Sequence, residues 1–467
     1  MIKILDYLDG VMYYPILVTV LILAGLYFTY KTGFLQMRMF RECIRVVMEK
    51  PAKEGSVSSF QALMVSTASR VGTGNIVGAS TALCLGGYGA LFWMWLIAII
   101  GGATAFIEST LAQIYKRRDK NGDSYGGPAY YIETALHNKG LAAAFAVFLI
   151  LTYAGGFNML ASYNLQSTFA AYGFYNQATS PWIIGGVLAL IVGYCLIGGG
   201  KRIIKFSEVI VPFMGIAYVA LAIIVVAMHL NMIGDVLVKV FSDAFNFRKI
   251  LAGVSGSCMM FGIKRGLFSN EAGVGSAPNA AAAADVTHPV QQGLVQMLSV
   301  FIDTVLCTAT ILMCLFSGVA PAADIAGAPY VQMASSSVFG VFGPVLITVA
   351  MVLFAFTTLI GNFFYVENCL AYLNKSVMPG KGFMTCFRLL GAAVIFIGAG
   401  LSMAAAWDIA DILMAFMCLI NIPSCVILGG TAVRAMEDYC AQKARGEKPV
   451  FKAENIGMNT DNLEYWK

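Results

Sequence analysis

Long apolar stretches separated by short polar ones set the pattern of this chain. In a window of ~19 residues, the width suited to a membrane crossing, eleven segments stand out as candidate helices. They centre on 12–30, 60–84, 88–115, 141–169, 181–199, 206–228, 250–276, 290–317, 338–370, 384–403 and 408–430. Several exceed the ~20 residues that cross the hydrocarbon, so tilts and interruptions are expected. The seventh is the least apolar.

Two of these stretches are poor helices at their centres. The second carries Gly72, Thr73, Gly74 and Asn75. Glycine costs ~1 kcal/mol against alanine in a helix interior, and asparagine competes for the backbone. The seventh holds two cations, an acid and several glycines between Lys264 and Gly275. Neither could face lipid, where freed amides and carbonyls find no water. Both must face protein or a wet cavity. They lie five spans apart and so run in opposite directions across the membrane. Matched, glycine-interrupted segments of opposite direction predict an inverted five-plus-five repeat with a binding site near the midplane. Close helix packing alone would explain one such interruption, but it explains less well a pair with polar residues at both.

The predicted organisation has four parts. Residues 1–59 form an extra N-terminal helix and a basic segment, and 60–228 form the first five-helix repeat. Residues 229–430 form the second, inverted repeat, and 431–467 a tail.

Composition supports the membrane assignment. Of 467 residues, 59% are hydrophobic and 12% charged, about half the usual charge of a soluble protein. Mean hydropathy is +0.76. A soluble fold would leave too much of that apolar surface exposed. The chain is therefore an all-α polytopic membrane protein, and its 48 glycines suit closely packed membrane helices. The eleven cysteines are scattered without a C-x-x-C pair, and His137, His229 and His288 lie far apart. Core thiols are expected rather than a disulfide frame or a zinc site. The opening MIKILDYLDG has no small-residue cleavage site, so it reads as mature protein rather than a signal peptide.

Charge sets the orientation. Segments 31–59, 116–140, 200–205, 374–388 and 434–467 together hold 23 of the Lys and Arg residues. The opposite side holds four: Lys3, Lys239, Arg248 and Lys249. The positive-inside rule then places the N-terminus outside and the C-terminus in the cytoplasm of a plasma-membrane protein. The same rule accounts for the basic tail, so no nucleic-acid partner is called for.

The interruptions also indicate what could bind. Amides opening a half-helix attract a carboxylate, and unwound carbonyls coordinate a cation or an ammonium. A zwitterion such as an amino acid offers both. Thr357 and Thr358, set among apolar neighbours in FAFTTLIGNFF, supply paired hydroxyls for a hard cation such as sodium. The alternative is that they bond back to the preceding turn. Arg70, Glu108, Lys264, Arg265, Glu271, Asp303 and Glu367 sit in or near spans, where an ionised group needs a partner or water. Arg265 and Glu271 share the second interruption, and Arg70 precedes the first. They read either as a gate and ion-coupling network or as structural pairs. Glu108 and Asp303 read as braces between helices.

At these residues the chain resembles the alanine or glycine:cation symporter family, the sodium:alanine symporters of the leucine-transporter-like (LeuT, APC) superfamily. The resemblance covers most of the sequence. It runs through TGNIVGAS at 73–80, GALFWMW at 89–95, FIESTLAQIY at 106–115 and YGGPAYYI at 125–132. It continues through KRGLFSNEAGVGSAP at 264–278, HPVQQG at 288–293, FIDTVLCTAT at 301–310 and WDIADILMAFMCLIN at 407–421. It implies a LeuT-like fold and sodium-coupled uptake of a small neutral amino acid by alternating access, with no enzyme activity and no cofactor beyond the coupling ion. By this resemblance, backbone amides at Gly72, Thr73, Gly74 and Asn75 hold the substrate carboxylate. Carbonyls of Gly266, Phe268 and Ser269 meet its ammonium. Sodium is bound by carbonyls of Ala68, Val71 and Phe354 and by the hydroxyls of Thr357 and Thr358.

Two positions depart from the family. Members carry glutamine in the fourth span, where this chain has Ala161. They also carry tryptophan in a W-S-Y-Y-G-E run, where this chain reads Asn362 to Glu367. Both would lie near the substrate side chain, so a side chain larger than alanine's, polar and glutamine-like, is expected to be preferred. Two other classes are weighed. A channel wants repeated filter loops or a charged pore lining, and an enzyme wants a metal cluster or a nucleophile–base pair. Neither pattern stands out. Among carriers, proton coupling or exchange is the alternative.

Overall fold

In the computed structural model the chain is almost wholly helical. The structure describes residues 2–51, 53, 55–119, 122–197, 199–246, 257–460 and 463–466, with backbone only at residues 2–4, 6, 14 and 15. Arg248, Lys249 and the start of the seventh predicted span, 250–256, lie outside the described residues.

Among the described residues, seven helices are long and apolar enough to cross a membrane. They are Ala90–Ile114, Lys139–Ala171, Gly199–Met228, Pro289–Phe316, Phe342–Leu373, Lys381–Ala399 and Met403–Ala444. Shorter apolar helices occupy Val18–Lys31, Gly74–Gly86 and Ser180–Leu196. Together with Ser59–Arg70 and Cys258–Asn270, helices coincide with all the predicted spans. Among the described residues, six further α-helices lie between the spans: Leu35–Arg38, Phe40–Val47, Pro128–Leu136, Ile233–Ala244, Ala277–Ala283 and Ala328–Phe339. A two-stranded ribbon pairs Arg117–Arg118 with Ser124–Tyr125.

Local chemistry explains where the key helices start. Ser58 and Gln61 form a capping box at the head of Ser59–Arg70, satisfying amides that the first turn leaves open. Ser257 caps Cys258–Asn270 by accepting from the Met260 amide at 3.3 Å. His288 caps Pro289–Phe316, with Gln291 completing the reciprocal bond. Proline in the first turn, as at Pro278 and Pro289, removes an amide that has no helical partner there.

Ala90–Ile114 and Pro289–Phe316 form the centre, with the most extensive packing of any helix pair. Ala90–Ile114 also packs on Cys258–Asn270, and Pro289–Phe316 on Ser59–Arg70. The periphery is apolar and exposed, with Leu190, Ile197, Phe213 and Ile216 each about 70% accessible or more. Side chains of that kind in that number belong against lipid.

Candidate substrate and ion site

The first interruption opens just after Arg70. Val71 turns extended at ψ 91°, and the helix resumes with a π-helical turn over Gly74–Gly78. Glycine is required here by close approach. A Cβ on Gly72 would overlap the Thr358 hydroxyl, and one on Gly74 would come within 3.2 Å of the Phe268 ring. Asn75 locks the turn. Its Oδ1 accepts from the Gly72 amide at 2.8 Å, and its Nδ2 donates to Asp303 Oδ1 at 2.6 Å. Two of the four positions expected to cradle a carboxylate therefore bond to each other. The amides of Thr73 and Gly74 are left to open the second half-helix, where first-turn amides lack helical partners. The Thr73 hydroxyl accepts from Asn164 Nδ2 at 3.0 Å.

The second interruption falls at the C-terminal end of the Lys264–Gly275 stretch. Cys258–Asn270 is regular, and the chain breaks at Glu271, φ 50°, followed by Gly273 at φ 87° and Gly275 at φ 89°. Gly266 is thus a full turn inside the helix, pressed against Met94 and Ile97, and offers no free carbonyl. This corrects its assignment to the ammonium site. The carbonyls of Phe268 and Ser269 remain at the open C-terminal end, where the last turn is unpaired. Ser269 Oγ donates to Asp303 Oδ1 at 3.0 Å. Asp303 therefore joins both interruptions, through Asn75 on one and Ser269 on the other. Glu108 braces the second in the same manner, accepting from the Gly273 amide at 3.3 Å and from Asn421 Nδ2 at 2.8 Å.

Both open ends meet at one small cavity of about 20 Å³, room for roughly one water. Gly72, Thr73, Gly74, Phe268 and Ser269 line it, with Ala161, Arg70, Glu271 and Thr358. Phe157, Leu160 and Ser69 complete the wall. Asn362 does not line it. Its amide is occupied by Ser69 Oγ at 2.5 Å and Asn158 Oδ1 at 2.8 Å, so its expected contact with a substrate side chain is corrected to a contact one layer behind the wall.

The two threonines differ. Thr357 Oγ1 donates back to the Leu353 carbonyl at 3.0 Å and the Phe354 carbonyl at 3.1 Å, the ordinary helix back-bond. Among the described residues Thr358 Oγ1 is buried without a hydrogen-bond partner, and it faces Gly72 at the first interruption. Buried hydroxyls are nearly always bonded, so a hard cation held beside the end of Ser59–Arg70 fits this donor set. Ala68 and Val71 are buried at that same helix end.

The charges pair otherwise than expected. Arg265 lies over the Trp407 ring at 3.7 Å and reaches Asp411 Oδ2 at 3.4 Å. Lys264 binds the same oxygen at 2.9 Å and Asp9 at 2.6 Å. Glu271 instead accepts from the Tyr153 hydroxyl at 2.8 Å and Ser276 Oγ at 2.6 Å. The anticipated Arg265–Glu271 grouping is thereby corrected. Arg70 donates to the Gln296 carbonyl at 3.3 Å, while its Nε and Nη2 have no hydrogen-bond partner among the described residues. It is the shared cationic neighbour of Glu108, Glu271 and Asp303. Sequence reasoning missed Asp9, Trp407 and Asp411. The i,i+4 pair in WDIAD, two polar-tipped residues opening an apolar run, is the signal that could have found the last two.

The fold and this cavity define a polytopic, all-helical membrane protein in which two discontinuous helices present their ends to each other. The chain belongs to the sodium:alanine symporter family, whose model matches residues 1–453. It is therefore a transmembrane transport protein of a family of sodium symporters. It is 39% identical to the probable sodium/glutamine symporter GlnT of Bacillus subtilis over 99% of this chain and 96% of that one. It is 39% identical to the amino-acid carrier protein AlsT of the same organism, over 96% and 94% of the two chains. To the sodium/alanine symporter AgcS of Methanococcus maripaludis it is 37% identical, over 90% and 93%.

Proposed function

We propose that this protein carries a small neutral amino acid, of the alanine, glycine and glutamine class, into the cell together with sodium by alternating access. The observation that carries this reading is the cavity itself: amides of one half-helix, carbonyls of the other and the unpartnered Thr358 hydroxyl all converge there. A carboxylate on Thr73 and Gly74, an ammonium on Phe268 and Ser269 and a sodium ion at Thr358 then lie side by side. Ala68, Val71 and Phe354 supply carbonyls to the ion. Asn75 and Asp303 hold the frame.

The architecture proposed is eleven crossings in a LeuT-like five-plus-five repeat after one extra helix. A short helix follows the second span of each half, Pro128–Leu136 in one and Ala328–Phe339 in the other, which supports the correspondence. Orientation N-outside and C-inside draws support from the basic segments, which gather on one face. Arg45 meets Tyr439, Arg117 meets Glu464 and Ser376, and Lys201 meets Asp123. Plasma-membrane placement follows from the same reading. With the Asn362 amide occupied, selection for a polar substrate side chain loses its basis, and the compact wall of Phe157, Leu160 and Phe268 favours glycine and alanine first.

Uptake of labelled alanine, glycine and glutamine into proteoliposomes tests this. Uptake is expected under an inward sodium gradient and not under a proton gradient alone; the reverse would install the proton-coupled alternative. Ala161→Leu adds three carbons to a wall with no spare room, where overpacking costs ~1–3 kcal/mol. Alanine uptake is expected to fall at least tenfold, at ~1.4 kcal/mol per tenfold. Wild-type rates in that variant would remove Ala161 from the site. Thr358→Ala should weaken apparent sodium affinity by ~10- to 100-fold through loss of one ligand in a desolvated site. Thr357→Ala should do less, since its hydroxyl is spent on its own helix. Equal, unchanged sodium curves would refute the ion site.

A further inference from the structure

The tail beyond the last long helix folds back onto the face where the basic segments gather. The Phe451 amide donates to the Thr287 carbonyl at 2.9 Å. The Trp466 indole donates to the Gln113 carbonyl at 2.7 Å, and the Tyr465 hydroxyl to Asp285 Oδ1 at 2.8 Å. The Tyr465 ring lies under Lys116 at 3.7 Å and Arg118 at 4.2 Å. Burial and the Asp285 carboxylate push the phenol up to about 12, so it keeps the proton it donates.

Asp285 is the centre of this arrangement. Its Oδ2 accepts from the Lys53 amide at 2.6 Å, and its own amide donates to the Val57 carbonyl at 2.9 Å. One residue thus fastens the approach to the first broken helix, the exit from the second and the tail. Beside it, Ala62 of the first broken helix packs on Ala284 and Val286, which follow the second. A groove of about 840 Å³ opens next to this contact, with Gln61, Ile204, Phe364, Tyr465 and Trp466 among its walls. Val57, Asp285 and Val286 of the joined segments line this groove, which shares no lining residue with the substrate cavity.

We propose that Tyr465, acting through Asp285, and Trp466, acting through Gln113, whose Nε2 donates to the Ala284 carbonyl at 2.9 Å, are positioning residues that latch the cytoplasmic gate, and that the tail must let go for the substrate cavity to open inward. The inference rests on the alternating-access reading above. Opening requires the Ala62 face to part from Ala284 and Val286, and the Asp285 bonds hold those segments together. The tail aromatics close the latch from outside the membrane core, so weakening them shifts the gate without touching the substrate or ion ligands.

The test places a cysteine at the gate contact, Ala62→Cys, in a Cys386→Ser background that removes the exposed native thiol. A maleimide is applied to the cytoplasmic face of inverted vesicles. Tyr465→Phe, which deletes only the hydroxyl, and Trp466→Ala are each expected to raise the labelling rate several-fold. Labelling of buried Cys314, at the far end of Pro289–Phe316 from Asp285, should stay flat. Unchanged labelling at Ala62→Cys in both variants overturns the latch, as does an equal rise at Cys314, which would mean general loosening. Labelling needs no transport. A latch response without sodium-driven uptake would therefore sink only the transport reading, and uptake without a latch response would sink only the latch.

Discussion

Gly72→Ala is expected to abolish sodium-driven uptake while leaving the protein folded. A Cβ at this position would overlap the Thr358 hydroxyl oxygen, a buried group that has no hydrogen-bond partner among the described residues. Either Thr358 rotates away and the ion loses a ligand, or the first broken helix moves from Phe342–Leu373 and the half-helix ends separate. Both routes remove sodium and substrate binding together. At ~1.4 kcal/mol per tenfold, losing a desolvated ion ligand and the helix register amounts to ~100-fold or more in uptake. The measurement is initial-rate uptake in proteoliposomes, normalised to folded protein by size-exclusion chromatography. Uptake within a few-fold of wild type would show that the close approach of Gly72 and Thr358 has no functional weight.

The second large effect falls on stability. Asp411→Ala is expected to destabilise the protein by ~3–5 kcal/mol, the cost of leaving a buried charge without its partner. Asp411 is fully buried and serves two cations at once, Lys264 at 2.9 Å and Arg265 at 3.4 Å. After the substitution Lys264 still has Asp9 at 2.6 Å, but Arg265 loses its carboxylate partner at 3.4 Å and keeps the face of Trp407. Thermal unfolding in detergent measures the loss. A melting temperature equal to wild type would mean that water or an alternative partner reaches Arg265. The same cluster ties the N-terminal helical segment Met12–Leu17 to the second broken helix, since the Tyr13 hydroxyl donates to the Lys264 carbonyl at 3.1 Å.

Periodicity and hydropathy made the helices legible because lipid-facing and core-facing positions are both apolar over long runs, and turns are short. The first interruption was legible for the same reason it exists. Two glycines around Thr73 cannot continue a helix cheaply, and they sit where the backbone must approach Thr358 and Phe268. The second was located only to within a turn. Lys264, Arg265 and Gly266 resemble a helix breaker in sequence, yet Asp411 and Asp9 neutralise the cations and Met94 and Ile97 fill the space over Gly266. Those partners lie more than a hundred residues away, beyond what local pattern can show. Asn362 was misjudged on the same account. Its sequence neighbours are apolar, and the Ser69 and Asn158 groups that take up its amide come from two other helices. The roles of Thr357 and Thr358 became separable only with the helix phase known, because adjacent residues on a helix point about 100° apart.

The claim that sodium and the amino acid meet at the first interruption makes a thermodynamic demand. If the two ligands share Gly72 and Thr358 as neighbours, each must raise the affinity of the other by the same factor. Equilibrium binding of labelled alanine to the purified protein, titrated in sodium and in potassium at equal ionic strength, measures this directly. Alanine should bind in sodium and weaken at least tenfold in potassium, and Thr358→Ala should erase the difference between the two salts. Alanine bound equally well in sodium and potassium by the wild-type protein would contradict the account.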